Sequence, residues 1–476
     1  MAAMAPPRRS TFLLRLPAPV AERGERLDEA ARWPLALACL GLTLYLLLSD
    51  NLLVTLGIPY NVPQGAFPFK IHPGTYCIAL GFVLLLRGNP WRRLVELFRL
   101  SPGLTSLAVA TTATMVYALV RFGASGSGFF IDTLLAPALL GLILLRAPVA
   151  WRPSVFWIAL SLLSLNAVIG IGEAATGARL VPYLAGDQPL TEEFFRATAL
   201  GGHPLSNALR TTILLFAALV LPSGFRLALI PLLVIALLAF GSRTALATSM
   251  LLLLAWGVVA FMRGMASRRF DPRLTLGIAL LALILPAAVG LAALHLGLGE
   301  RVFREFYWDT SAQSRLLAFQ IFDFPNPEEV LGGMGPARIE WALDLLRRTT
   351  TLNDIENFWI LLLLQVGLVP FLFLAGSLLA TVIGLARRGP APVRLAALAF
   401  LVLASSNNSL ATKSQNLAIL VAVLIGATAT VRREARQGAS SSPLDPRPLP
   451  AGPPPASSRR GGFQLLLRPG WREDAP

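Results

Sequence analysis

Long apolar runs separated by polar connections dominate this chain. Twelve can be delimited, at roughly 33–50, 73–87, 102–121, 129–146, 153–172, 205–222, 225–241, 244–262, 274–297, 355–386, 391–407 and 415–431. They reach or approach the ~20 residues that a helix needs to cross a bilayer. The second, fourth and eleventh are short. The pattern predicts an all-α, polytopic membrane helix bundle of about 12 transmembrane helices. It places a large, partly helical external loop, 298–354, before the tenth span and a smaller external loop at 173–204. Most other connections are short, as antiparallel packing requires. Residues 1–32 form a polar, Arg-rich N-terminal tail, 33–431 the transmembrane domain, and 432–476 a Pro, Ser, Gly and Arg-rich tail expected to be disordered.

Composition agrees with this pattern. The 476 residues are 55% hydrophobic and only 14% charged, with a mean hydropathy of +0.64. Soluble domains carry about 25% charged residues, so a soluble globular class is excluded. The net charge of +15 by itself suggests nucleic acid, but its distribution points elsewhere. With an even span count both termini share a side, and 28 of the 41 Lys and Arg residues fall there. Acidic residues divide 10 to 16 the other way, leaving +18 on the terminal side and −3 on the other. That asymmetry is the positive-inside signature. It sets both termini in the cytoplasm and argues against nucleic-acid binding.

Within the larger loop, Thr310-Ser311-Ala312-Gln313 has capping-box spacing and predicts a helix through Arg315, Phe319 and Phe322 that ends before Pro325. After Gly332-Gly333-Met334-Gly335, Pro336 suits the first turn of another helix. There Ile339, Leu343 and Leu346 line one face, opposite Glu340, Asp344, Arg347 and Arg348. This helix either caps the bundle at the membrane surface or serves as a lid. Glu356 opens the tenth span. Its spacing from Asn353 fits a capping box, and a general base at the membrane edge is the functional alternative. His203, in Gly201-Gly202-His203-Pro204, is either a hydrogen-bonded cap or a catalytic residue.

Arg196, Arg210, Arg243 and Arg315 lie near external span ends. Each alone reads as an interface anchor. Converging in one membrane cavity, they would read as a lipid-phosphate or diphosphate site, because guanidinium binds phosphate oxygens bidentately and keeps its charge when partly dry. Cys39 and Cys77 lie in apolar runs without metal-ligand spacing, and the chain has no Walker loop, HExxH, GxSxG or carboxylate cluster of divalent-metal type.

Four segments together resemble the bacterial O-antigen ligase and polysaccharide polymerase superfamily of multi-span glycosyltransferases. They are Arg196 with Gly202-His203-Pro204 and Asn207; Gly241-Ser242-Arg243-Thr244; Ser314-Arg315 followed by Gly332-Gly333-Met334-Gly335; and Glu356-Asn357-Phe358-Trp359 followed by Gln365-Val366-Gly367. The resemblance covers about 150–430. It implies a bacterial inner-membrane enzyme that transfers glycan from undecaprenyl diphosphate to an acceptor sugar hydroxyl at the periplasmic face. Arg243 and Arg315, then Arg210 and Arg196, would hold the diphosphate, with no metal and no cofactor expected. Ligases of this family place a His where this chain has Glu356, which favours a polymerase-type member with Glu356 as base and His203 as the alternative. The implied partners are the lipid-linked donor, a glycan acceptor, membrane lipid and the proteins of envelope-polysaccharide synthesis and export. A ligase acting on a lipid A-core acceptor, a transporter or flippase using the same arginines, and a non-enzymatic scaffold are the competing classes.

Overall fold

A computed structural model of the chain describes residues 32–62, 65–124, 127–185, 188–190, 195–266, 316–350, 352 and 354–440. The apolar run 274–297, the Thr310–Gln313 spacing, Arg315, Asn353 and nearly all of both tails lie outside the described residues. Residues up to Arg433 form one packing unit, and those from Glu434 onward a second.

The described architecture is helical apart from one minimal hairpin. In chain order its helices are α1 (Arg32–Leu47), α2 (Asp50–Thr55), α3 (Pro73–Leu86), α4 (Pro90–Leu100), α5 (Pro102–Phe122), α6 (Ala136–Arg146), α7 (Arg152–Thr176), α8 (Pro204–Ala218), α9 (Ser223–Ala239) and α10 (Arg243–Ala266). They continue with α11 (Pro327–Gly332), α12 (Gly335–Thr349), α13 (Phe358–Val366), α14 (Leu368–Arg387), α15 (Ala391–Ser405) and α16 (Asn416–Ser440). The hairpin pairs β1 (Leu184–Ala185) antiparallel with β2 (Gln188–Pro189) in the connection between α7 and α8. Among the described residues, five helices are long and apolar enough to cross a membrane: α5, α7, α10, α14 and α16. Apolar helices of 10–17 residues accompany them, namely α1, α3, α9 and α15.

Four helix starts, those of α3, α4, α8 and α11, follow one local rule. A side chain that accepts hydrogen bonds precedes a proline in the first turn, where the missing N–H costs nothing. His72 Nδ1 accepts from Gly74 N at 3.0 Å, and Asn89 Oδ1 from Arg92 N at 3.0 Å. His203 Nδ1 accepts from Leu205 N at 3.2 Å, and Asn326 Oδ1 from Glu329 N at 2.8 Å. Two of the three histidines are thus His-Pro helix caps. Asn326 and Glu329 complete a full capping box at α11.

One expectation is corrected. The tenth apolar run is two helices, α13 and α14, broken at Gly367 with φ +83°. A Cβ there would sit 2.4 Å from the backbone N of Gly333, so the break is imposed by close backbone approach of the Gly332–Gly335 turn. Met334 N also donates to Leu364 O at 2.7 Å. The cap of α13 is Asn357, whose Oδ1 accepts from Trp359 N and Ile360 N; the Asn353–Glu356 spacing rests on Asn353, which lies outside the described residues. The fourth run opens with a π-helical turn, Phe130–Leu135, before α6. The expected amphipathic helix of the second loop is α12, with Ile339, Leu343 and Leu346 buried and Arg347 paired to Glu340 and Asp344 at 2.7 Å each.

The bundle is organised around α8 and α16. Thirteen of the fifteen residues of α8 are buried, and every residue from 416 to 430 of α16 is buried. A helix buried on all faces belongs inside a bundle rather than at its lipid surface. Around this pair α1 packs on α3, α5 on α14, α7 on α9 and α15 on α8. Placing Arg210 and Asn416 on these two central helices commits their polar groups to the interior.

Candidate functional site

The end of the bundle bearing the loops 48–72, 177–203 and 406–415 gathers most of the buried polar chemistry. Its first component is the segment 195–203. The Glu173 carboxylate, 4% exposed near the end of α7, accepts from Leu180 N at 2.7 Å and from Thr198 N and Ala199 N at 2.8 Å each. Asn166 Oδ1, also on α7, accepts from Leu200 N at 2.9 Å and Gly201 N at 3.2 Å. Within this strap Ala199 has φ +40°, which an L-residue adopts only when its surroundings hold it there. Asn51 Nδ2 donates to Gly202 O at 2.7 Å from the other side. A Cβ at Gly201 would fall 1.8 Å from Asn207 Oδ1 and 2.9 Å from Arg210 Nη1, so only glycine lets this strap lie on α8.

The strap positions two predicted residues. The Cγ and Cδ of Arg196 lie 3.1 and 3.2 Å from where a Cβ on Gly241 would be, so Arg196 lies over the turn leading to Arg243. His203 ends the strap. Its Nδ1 lone pair is taken by Leu205 N–H, which places the proton of the neutral ring on Nε2, 3.2 Å from the Tyr183 hydroxyl. Burial, then the charges of Arg196 and Arg210, lower its pKa to about 4. In this arrangement His203 is a neutral cap and donor.

Arg210 is buried at 3% exposure on α8. Its Nε donates to Asn416 Oδ1 at 2.7 Å and its Nη2 to Gln415 Oε1 at 3.0 Å. These partners are neutral amides, so the guanidinium keeps its full charge in the interior. The nearby carboxylate is Asp50, at the start of α2.

The loop 406–415 is the hub. Thr412 O accepts from Thr133 Oγ1 at 2.7 Å, and Ser414 N donates to the same hydroxyl at 2.9 Å. Asn407 O accepts from Phe358 N at 3.0 Å, Ala411 O from Gln365 Nε2 at 3.2 Å, and Asn408 Nδ2 donates to Asp354 Oδ2 at 2.6 Å. Lys413 Nζ donates to Tyr60 O at 2.6 Å and sits 4.3 Å from the centre of the Tyr60 ring. Tyr60 in turn donates to Asp132 Oδ2 at 2.7 Å, and Thr75 donates to Asp132 Oδ1 at 2.6 Å. Burial, first, and the charge of Lys70 lower the pKa of Lys413 to about 8, against the opposing pull of Asp132 and Asp50.

Arg243 heads α10, half-buried. Its neighbours Ser242 and Thr244 share a small crevice with Leu205, Leu209, Ser406 and Asn407. Glu356, also half-buried, lies two residues before Phe358, which bonds to Asn407. Thus Arg196 and His203 of the strap, Arg210 of α8, Arg243 at the head of α10 and Glu356 just before α13 are brought to one end of the bundle. Arg315 lies outside the described residues. Sequence reasoning missed Asp50, Lys413, Gln415, Asn416 and the Tyr60–Asp132–Thr75 network. A signal for Lys413 was present: the chain has only two lysines among 41 basic residues, Lys70 and Lys413, and both lie here. Among the described residues, no three His, Cys, Asp or Glu side chains are placed to hold a metal ion.

Cations from α8, α10, the strap and the hub approach one region, and carboxylates stand beside it. No protein-family model, curated protein or solved structure matches the chain.

Proposed function

We propose that the chain is a membrane glycosyltransferase of polymerase type, taking a glycan from a lipid diphosphate and joining it to an acceptor sugar hydroxyl. The observation that carries this reading is the gathering of Arg196, Arg210, Arg243 and Lys413 at one end of an apolar bundle, beside Asp50 and Glu356. Guanidinium and ammonium groups in a partly dry site stabilise charge that develops on a leaving diphosphate. The acceptor oxygen attacks the anomeric carbon, the bond from that carbon to the phosphate oxygen breaks with its electrons passing to the diphosphate, and the hydroxyl proton passes to Glu356. Arg243, Arg196 and Arg315 are assigned to the diphosphate. Arg210, tied to Gln415 and Asn416, contributes its field and joins α8 to the hub loop. His203 holds the start of α8 and faces the acceptor side.

The same reading gives a bundle of twelve spans in a bacterial inner membrane, both termini cytoplasmic, with the site on the periplasmic face. The donor is an undecaprenyl-diphosphate-linked glycan and the acceptor a growing chain, with envelope-polysaccharide synthesis and export proteins as partners. The test is incubation of the purified protein with undecaprenyl-diphosphate repeat units. Longer lipid-linked chains are expected, and their loss in an Arg243→Ala, Glu356→Ala double variant. Transfer to lipid A-core in place of elongation would make the protein a ligase. Elongation that persists in the double variant refutes the assignment of these residues.

A further inference from the structure

The opposite end of the bundle holds a second gathering of arginines. A cavity of about 360 Å³ opens there between the ends of α4, α6, α7, α14 and α16. Its volume is in the range of small-ligand sites, roughly 300–1,000 Å³. The inner wall is apolar, with Leu145, Leu385 and Leu424, and the rim carries Arg152, Arg388 and Arg432. Among the described residues, no acidic side chain lines it.

Each of these guanidiniums is anchored by backbone carbonyls. Arg388 Nη2 donates to Leu100 O at 2.9 Å, and Arg432 Nη2 donates to Arg388 O at 3.1 Å. Arg152 donates from Nε to Ala147 O at 2.9 Å and from Nη2 to Leu145 O at 2.7 Å. A guanidinium has five N–H donors, so Arg388 and Arg432 each retain several. Among the described residues, no carboxylate forms an ion pair with either. Burial and the neighbouring charge of Arg432 both act against the charge on Arg388. Two like charges held together over an apolar pocket favour an anion that also carries hydrocarbon.

We propose that this cavity binds the phosphate headgroup of an anionic phospholipid from the leaflet at that end, with acyl chain on the leucine wall. Bidentate Arg–phosphate bonding supplies recognition, and basic pockets between membrane helices are suited to such headgroups. The adjoining helix α4 fits the same surface. It presents Trp91, Val95 and Phe98 alongside Arg92, Arg93 and Arg99 on an exposed amphipathic turn of chain, the form of a helix lying in a membrane interface. This site is independent of the proposed transferase reaction.

Native mass spectrometry of the full-length protein in detergent tests it, with phosphatidylglycerol, phosphatidylcholine and inorganic phosphate as probes. Phosphatidylglycerol retention is expected to exceed that of phosphatidylcholine at least tenfold and to fall by about that factor in R388Q/R432Q. R263Q, which removes an exposed arginine outside the cavity, should retain the wild-type level. A correctly melting R388Q/R432Q protein that keeps full phosphatidylglycerol retention overturns the proposal. So does displacement of the lipid by equimolar inorganic phosphate, which would make this a free-phosphate site. Should the double variant fail to fold, R388K/R432K serves in its place, with loss of the preference for phosphatidylglycerol over phosphatidylcholine expected from lost bidentate bonding and an unchanged preference counting against the site.

Discussion

Removing the Glu173 carboxylate is the most direct way to release the strap that carries Arg196 and His203. Three backbone N–H groups, those of Leu180, Thr198 and Ala199, converge on it at 2.7–2.8 Å. Hydrogen bonds to a charged group contribute about 1.5–3 kcal/mol each. Because the three share one acceptor, their effects overlap, and Glu173→Ala is expected to destabilise the strap by about 4 kcal/mol. Glu173→Gln keeps one acceptor oxygen. That oxygen serves Thr198 and Ala199, the amide group then faces Leu180 N–H, and the loss is about 2 kcal/mol. Since ~1.4 kcal/mol is tenfold, opening becomes roughly a thousandfold more frequent in the alanine variant and roughly thirtyfold in the glutamine variant. Trypsin reads this after Arg196, where Ala197 N–H is bonded to Ala239 O at 3.1 Å in the closed strap. Cleavage that tracks the open population should rise in the order wild type, Glu173→Gln, Glu173→Ala, while cleavage after the exposed Arg387 stays constant. An increase after Arg196 of less than about tenfold in Glu173→Ala would show that the carboxylate does not hold the strap.

Further outcomes follow from the same geometry. Gly201→Ala puts a methyl group 1.8 Å from Asn207 Oδ1 and should cost about 3 kcal/mol through displacement of Asn207 and Arg210, measured by thiol-dye melting on Cys39 and Cys77. His203 has a folded pKa of about 4, below the ordinary ~6.5, so the unfolded chain binds more protons between those values. Stability should therefore fall as pH drops through that window, and His203→Gln should flatten the fall in a pH series of melts. Lys413, lowered to about 8, loses its charge as pH rises through that value. Donor binding should weaken there, and Lys413→Arg should remove that limb from the pH profile. Gly367→Ala meets the Gly333 backbone at 2.4 Å, so it should separate α13 from the Gly332–Gly335 turn and be read as faster hydrogen exchange at Met334 N–H.

The helical membrane class, the positions of most apolar elements and the amphipathic face of α12 were legible in the sequence. Each depends on local composition or on a short period, and hydrocarbon solvent rewards both without reference to the rest of the chain. The arginines near span ends were legible for the same reason: charge is so costly in the apolar phase that its position is informative. Partnership was not legible. Arg210 meets Gln415 and Asn416 across some two hundred residues, and Lys413 meets Tyr60 across more than three hundred. The break at Gly367 exists because Gly333 lies against it, and the three arginines of the second cavity belong to α7, to α16 and to the end of α14. Helix type is decided by neighbours in sequence. Which helix ends face one another, and hence which charges share a pocket, is decided by the packing of the bundle.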